Sequence, residues 1–327
     1  MIKRIFAAAL ALIALLLCAC AGEPYSPIEP TAEEAREVAK IGGYSVLYDE
    51  LRFVALNSRR GISNTYGVDW SDPETSTEYA DELEESVWSS LVRNYAVCAL
   101  FEEAYGEIGE LDSQISEQVV DFVDSLGGMD GYREYLVEND LTDRLVRFNL
   151  AVSLMEYELI SYYTDLLGII DGSETSMADF FFSDDVVHVM HVCLEGTDGR
   201  TLARAEEICR VINYEEADVF EFAEEYSTDY RAMGDDGEYV IRGDYMEEYE
   251  EVAFSLNVGE AECVTVGNYT YVICVLDKEM EYFMENYDSF YYRYVYSELD
   301  KIIERQCDGM SIEKTALGAS LDLAGIN

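Results

Sequence analysis

The sequence predicts an α+β protein: a helical N-terminal domain over 38–180, a smaller α+β domain over 186–279 whose small antiparallel sheet is wrapped by helices, and a C-terminal helix within 280–327 that packs back on the N-terminal domain. Three observations carry this. The chain has 327 residues, enough for about two domains with their own cores. All four prolines (Pro24, Pro27, Pro30 and Pro73) precede residue 74, so no proline breaks a helix beyond that point. Near Ser183 the apolar spacing changes from every third or fourth residue to a continuous β-branched run.

Taken in order, Val38 to Val54 reads VAKIGGYSVLYDELRFV: a short strand, a Gly42-Gly43 turn, a second extended piece and a helix beginning near Tyr48. Arg60 to Ser76, with its glycines, serines and asparagine, is expected as an exposed loop. Glu78 to Tyr105 sets Leu83, Val87, Leu91, Tyr95, Cys98 and Phe101 at helical spacing, a buried stripe. Helices follow over 113–126, stopped by Gly127-Gly128, over 130–139, and over 142–167, where Leu145, Phe148, Val152, Met155, Leu159 and Tyr163 share a side. Val186 to Leu194, VVHVMHVCL, is a strand. Helices are expected over 200–212, 218–227 and 245–256, a loop at Gly234 to Gly237, strands over 263–276 turning near Gly267-Asn268, and a tyrosine-rich helix over 282–306.

Charge and composition exclude several functions. With 68 acidic against 21 basic side chains and a formal charge of −47, the chain lacks the basic clusters that nucleic-acid binding needs. Its 49% hydrophobic content is too high for a disordered chain. The surface is expected to be acidic and solvated, without the spacing of a calcium-binding loop. Two histidines, His188 and His191, rule out histidine-rich metal sites; three apart on a strand, they point to opposite faces. None of the cysteines forms a CxxC motif, and pairing among Cys98, Cys193, Cys209, Cys263, Cys274 and Cys307 stays open between disulfides and buried thiols.

Lys3 and Arg4 precede an unbroken apolar run from Ile5 to Leu17, the pattern of an export signal and too short to span a bilayer as a helix. Its end, Leu17-Cys18-Ala19-Cys20, resembles a bacterial lipobox with Cys20 as the lipidated residue. Residues 1–20 would then be removed and 21–37 would form a tether, anchoring the protein at the extracytoplasmic face of the cell membrane. An ordinary secretory signal cut near Ala21 is the plainer alternative.

The second half resembles the parvulin-type peptidyl-prolyl isomerases. The resemblance rests on His191-Val192-Cys193-Leu194, on the run from Asp218 to Asp229 (DVFEFAEEYSTD), on Gly234-Asp235-Asp236-Gly237, and on Tyr249 to Glu260 (YEEVAFSLNVGE), in the family's order. VAKIGGYSVLYDELR resembles the opening of the N-terminal chaperone domain in PrsA- and SurA-like foldases, and with the lipobox points to the Gram-positive lipoprotein foldases. The resemblance implies cis/trans isomerisation of X–Pro bonds, with no cofactor and no metal, on unfolded or folding exported polypeptides, and chaperone activity from the helical domain.

Residue by residue, it puts His191 and Asp229 at the catalytic positions and Tyr245, Met246, Tyr249 and Phe254 around the proline. Three departures stand out: Thr270 at the family's second histidine, Asp236 for an apolar loop residue at the pocket rim, and no proline near Cys263. A charged rim favours a basic residue before proline. The competing function is a holdase whose parvulin domain is inactive. A solute-binding lipoprotein would need βαβ alternation that the chain lacks. Nothing in the sequence supports or excludes an oligomer.

Overall fold

The computed structural model describes residues 25–106, 111–215, 217–229 and 236–326. The lipobox with Cys20, and Gly234 and Asp235 of the expected loop, lie outside them. The chain divides into two compact units: residues 25–61, 68–170 and 296–326 form the first, and 62–67 and 171–295 the second.

In the first unit, β1 (Glu37–Ile41) and β2 (Tyr44–Leu47) form the expected hairpin about Gly42-Gly43, and β7 (Ile312–Lys314) adds to β1, giving the antiparallel order β2-β1-β7. Helix α1 (Tyr48–Tyr66) follows at the anticipated residue, and α2 spans Pro73–Glu78. The 60–76 loop is therefore corrected to a short connection at 67–72. Ile62 is buried, which carries the helix through the polar residues around it, and Asp72 caps α2 through the Glu74 N–H at 3.1 Å. Helices α3 (Ala80–Tyr105), α4 (Asp112–Ser125), α5 (Met129–Glu138) and α6 (Asp143–Ser161) form the helical body. The expected stripe on α3 is buried throughout, and α6 packs against it. One π-helical turn, Tyr162–Leu166, ends α6.

A polar cluster lies inside this unit. Asp49 and Glu50, in the first turn of α1, suit the positive end of its dipole. Asp49 accepts two bonds from Arg144 (2.6 and 3.0 Å) and one from the Thr142 hydroxyl (2.8 Å). Glu50 Oε2 accepts from the Tyr95 hydroxyl at 3.0 Å, while Oε1 is buried without a partner. Burial, against the pull of Arg144, pushes the Glu50 carboxyl up to about 7. A raised carboxyl favours the fold fully below its unfolded value of 4.5 and loses that contribution as pH rises through 7. Glu50→Gln should therefore gain on the parent by about 3 kcal/mol between pH 4 and 8. Urea unfolding of both proteins across that range reads the difference; a constant offset would mean Glu50 titrates normally.

The second unit begins with α7 (Glu174–Phe181), a helix the sequence pattern did not signal, capped by Ser173 through the Ser176 N–H. Then come β3 (Val186–Glu195), α8 (Gly199–Glu215), α9 (Val219–Tyr226), β4 (Glu238–Ile241), α10 (Glu247–Ala253), β5 (Ala261–Val266) and β6 (Tyr269–Leu276). The sheet is antiparallel in the order β4-β3-β6-β5. β3 is buried on both faces except at its last residue. One face packs Met190, Val192, Leu194, Val272 and Cys274 against α8 and α9; the other packs Val189, Ile273 and Val275 against α10. The β5–β6 turn needs Gly267: its φ is +56°, and a Cβ there would stand 1.8 Å from the Thr65 carbonyl oxygen.

The tyrosine-rich C-terminal helix is two helices, α11 (Met280–Glu285) and α12 (Tyr287–Cys307). They divide at Asn286, whose side chain donates to the Tyr282 carbonyl at 2.9 Å. Residues 296–307 of α12 belong to the first unit, where Asp300 and Glu156 both bind Arg93.

Candidate active site

His191 is the centre of the second unit's polar chemistry. Facing the α10 side of β3, it is 1% exposed, yet both ring nitrogens are bonded. Nε2 meets Asp229 Oδ2 at 2.9 Å and Nδ1 meets the Tyr249 hydroxyl at 2.8 Å. A carboxylate can only accept, so Nε2 carries the proton, and in the neutral ring Nδ1 accepts from Tyr249. The Ser227 hydroxyl donates to Asp229 Oδ1 at 2.7 Å and accepts from the Cys193 N–H at 2.8 Å. A continuous chain thus runs Tyr249–His191–Asp229–Ser227–Cys193.

Strand pairing explains how Asp229 reaches this histidine. β4 pairs with β3 only as far as Val189, which leaves the β3 edge open beyond it. The chain leaving α9 takes that edge: the Thr228 N–H donates to the Cys193 carbonyl at 2.9 Å. From there Asp229 turns onto the His191 face. Burial pushes its carboxyl up, but the bond and charge of His191 and the Ser227 hydroxyl outweigh burial and hold it below the usual carboxylate range. A lowered carboxyl contributes at neutral pH and is lost only in acid below that range. Asp229 keeps a third of its side chain exposed, so the polar chain opens to solvent at this end.

Aromatic rings wall the site. Tyr245 stacks on Tyr249 (centroids 4.4 Å), and Tyr271 stands edge-on to both His191 (5.1 Å) and Tyr249 (5.4 Å). Tyr249 is fully buried, and burial, then Tyr245 and Glu238, hold its phenol well above the ordinary value, keeping it a donor. The Tyr245 hydroxyl donates to Glu238 Oε2 at 2.6 Å. Met246 precedes α10 and packs on the same apolar layer, as does Phe254 at the other end of that helix, with the Arg242 guanidinium 4.0 Å from its ring centroid.

Two expected members stand elsewhere. Thr270 is opposite Leu194 in the β3–β6 register, on the sheet face away from His191, and its hydroxyl donates to the Gly196 carbonyl at 2.9 Å. The closing-strand residue on the histidine's face is Tyr271, paired with Cys193. Thr270 is thus corrected to a structural position; a period-2 count back from Ile273, the partner of His191, picks out Tyr271 instead. Asp236 is exposed, on the turn before β4. Its carbonyl oxygen, not its carboxylate, makes the contact there, with His188 Nε2 at 2.8 Å. His188, on the other face of β3, also meets the Asp277 carbonyl and stacks on Tyr239. The two histidines do not converge, and no cluster able to hold a metal occurs among the described residues. Sequence reasoning did not single out Ser227, although it lies in the Asp218–Asp229 run, nor Glu238, which bears no motif of its own.

The family described as PPIC-type PPIASE domain matches residues 178–279, the stretch that holds every residue of this network. Residues 178–279 form a parvulin-type domain. Curated relatives include the foldase protein PrsA of Staphylococcus aureus strains MRSA252 and Newman, each 25% identical over 183 residues, covering 52% of this chain and 54% of the relative. The chain spans about half the length of the curated relatives it matches. Among solved structures, foldase protein PrsA from Streptococcus pneumoniae aligns at 14% identity and a TM-score of 0.35, covering 69% of this chain and 89% of that one. Peptidylprolyl isomerase (PrsA) from Bacillus anthracis aligns at 16% and 0.36, covering 67% and 96%. Within the parvulin-type domain, His191 and Asp229 are joined by the 2.9 Å bond and the Tyr245–Tyr249 stack lies beside them.

Proposed function

We propose that this protein catalyses cis/trans isomerisation of X–Pro bonds in exported polypeptides, tethered through Cys20 at the extracytoplasmic face of the membrane, with the helical unit holding unfolded chains. The reading rests on one observation above the rest: a buried histidine locked between a phenol and a partly exposed carboxylate, beside stacked aromatic rings, inside a parvulin-type domain. No helix among the described residues is long and apolar enough to cross a membrane; the tether through Cys20 rests on the sequence motif alone.

The chemistry asks little of the site. Uncatalysed X–Pro exchange takes tens to hundreds of seconds because the planar imide must lose its resonance as it twists. No bond is broken and no proton must be transferred. A thousandfold acceleration needs about 4 kcal/mol of stabilisation selective for the twisted form. The proline ring would lie on the partly exposed Met246 and Phe254 of the apolar layer, which desolvates the imide. Asp229, held charged by His191 and Ser227, sits where substrate could meet it, and its field acts on the carbonyl before proline as the bond twists. Tyr249 and His191 fix that carboxylate and do not themselves need to reach the peptide.

A specific observation favours the second reading, a non-catalytic holdase: the residue facing His191 from the closing strand is Tyr271 rather than a second histidine. Exchange spectroscopy by NMR on Ala-Pro, Glu-Pro and Lys-Pro peptides separates the two. The isomerase reading expects accelerated exchange, fastest for Lys-Pro and about fivefold slower for Glu-Pro, the effect of roughly 1 kcal/mol from the carboxylates of Asp229 and Glu238, partly screened by solvent. No acceleration of any peptide by the folded protein would leave the holdase.

A further inference from the structure

Six cysteines lie among the described residues, and all are thiols in this structure. Two of them border the same apolar cluster: Cys209 stands on α8 and Cys263 on β5, the strand that packs against that helix. The approach is set by the packing of helix on strand. One turn beyond Cys209, the Asn213 side chain clamps β5: its Nδ2 donates to the Ala261 carbonyl, and the Ala261 N–H donates to its Oδ1, both at 2.8 Å. Residues four apart share a helix face and residues two apart share a strand face. The clamp that aligns Asn213 with Ala261 therefore also aligns Cys209 with Cys263, and both side chains border one apolar layer with Ile208, Ile212 and Val272.

We propose that Cys209 and Cys263 form a reversible disulfide that fastens α8 to the edge strand β5. Cys209 is buried, and burial, then the neighbouring Cys263, push its thiol up to about 12; Cys263 is the more exposed of the two. An external disulfide, small-molecule or protein, therefore meets Cys263 first. The Cys263 thiolate attacks one sulfur of that disulfide, releasing the other as a thiol and leaving a mixed disulfide. The Cys209 thiolate then attacks Cys263 Sγ and expels the second thiol. Two protons leave the protein, and its two electrons reduce the oxidant. The closed loop, 209–263, contains Asp229, Tyr245 and Tyr249, so the link restricts the unfolded chain around the site and raises the melting temperature by roughly 5–15 °C.

The test treats the full-length folded protein with oxidised glutathione, alkylates the remaining thiols with N-ethylmaleimide in denaturant and maps the peptides by mass spectrometry. The expected result joins the Cys209 and Cys263 peptides, leaves Cys98, Cys193, Cys274 and Cys307 alkylated, and raises the melting temperature until dithiothreitol reverses it. Cys263→Ser, which leaves the Asn213 clamp in place, should keep the native circular dichroism and lose both the link and the redox-dependent rise. Alkylation of both Cys209 and Cys263 after oxidation, pairing of either with another cysteine, or a rise that persists in Cys263→Ser overturns the proposal. None of these results bears on X–Pro exchange, so this inference and the isomerase reading can fail separately.

Discussion

Asp229→Ala is expected to slow catalysed exchange of an X–Pro peptide by roughly 10–100-fold, the loss of one charge-assisted contact of about 1.5–3 kcal/mol, while lowering the melting temperature by only a few degrees. The asymmetry follows from its position. Asp229 is partly exposed and its backbone is not part of a regular strand, so truncation opens no closed cavity. The same truncation takes the acceptor from His191 Nε2 and from the Ser227 hydroxyl, removing the fixed charge that the proposed isomerisation uses. Asp229→Asn, which keeps an acceptor oxygen without the charge, should fall between parent and alanine in exchange rate and match the parent in stability. NMR exchange rates read beside thermal melts decide the point. Equal losses in rate and stability would reduce Asp229 to a structural residue, and an unchanged rate would remove it from the site.

Arg144→Ala should be the most destabilising single substitution in the helical unit, costing about 3–5 kcal/mol, because it leaves two buried carboxylates without their cation. Asp49 and Glu50 are almost fully buried and both face the same guanidinium. The Thr142 hydroxyl and the Tyr95 phenol can each satisfy one oxygen but cannot offset the charge. Adding Asp49→Asn to Arg144→Ala should return a substantial part of the loss, since it removes a charge rather than a contact. Urea unfolding of the two single variants and the double one measures this coupling. If the losses simply add, the cluster is held by packing and not by charge.

Much of the fold is visible in the sequence because it depends on local periodicity. The α3 stripe, the β3 run and the Gly42-Gly43 and Gly267-Asn268 turns are set by residues close in sequence, and the structure has them within a few positions. Expectations failed where a local signal was overridden. The polar segment after Arg60 reads as loop, yet Ile62 buries and the helix continues. Asn286 divides what reads as one tyrosine-rich helix. Helix α7 has a capping serine but too short an apolar pattern to announce itself.

The site divides the same way. The resemblance to the parvulins points to His191, Asp229 and Tyr249, because each lies in one of the runs that carry it. The resemblance puts Thr270 at the family's second histidine, but a shift of one residue moves a side chain to the other face of the sheet. Only the pairing of His191 with Ile273 fixes that register and brings Tyr271, not Thr270, to the histidine. The sequence by itself determined most of the elements, since these follow from periodicity and turn residues, and its resemblance to the parvulins singled out His191, Asp229 and Tyr249. The tertiary structure alone decided which face each residue occupies, that Ser227 anchors Asp229, and that Cys209 and Cys263 border the same apolar cluster. Those contacts join segments far apart in the chain, and their geometry follows from strand register and helix packing, which short-range spacing does not encode.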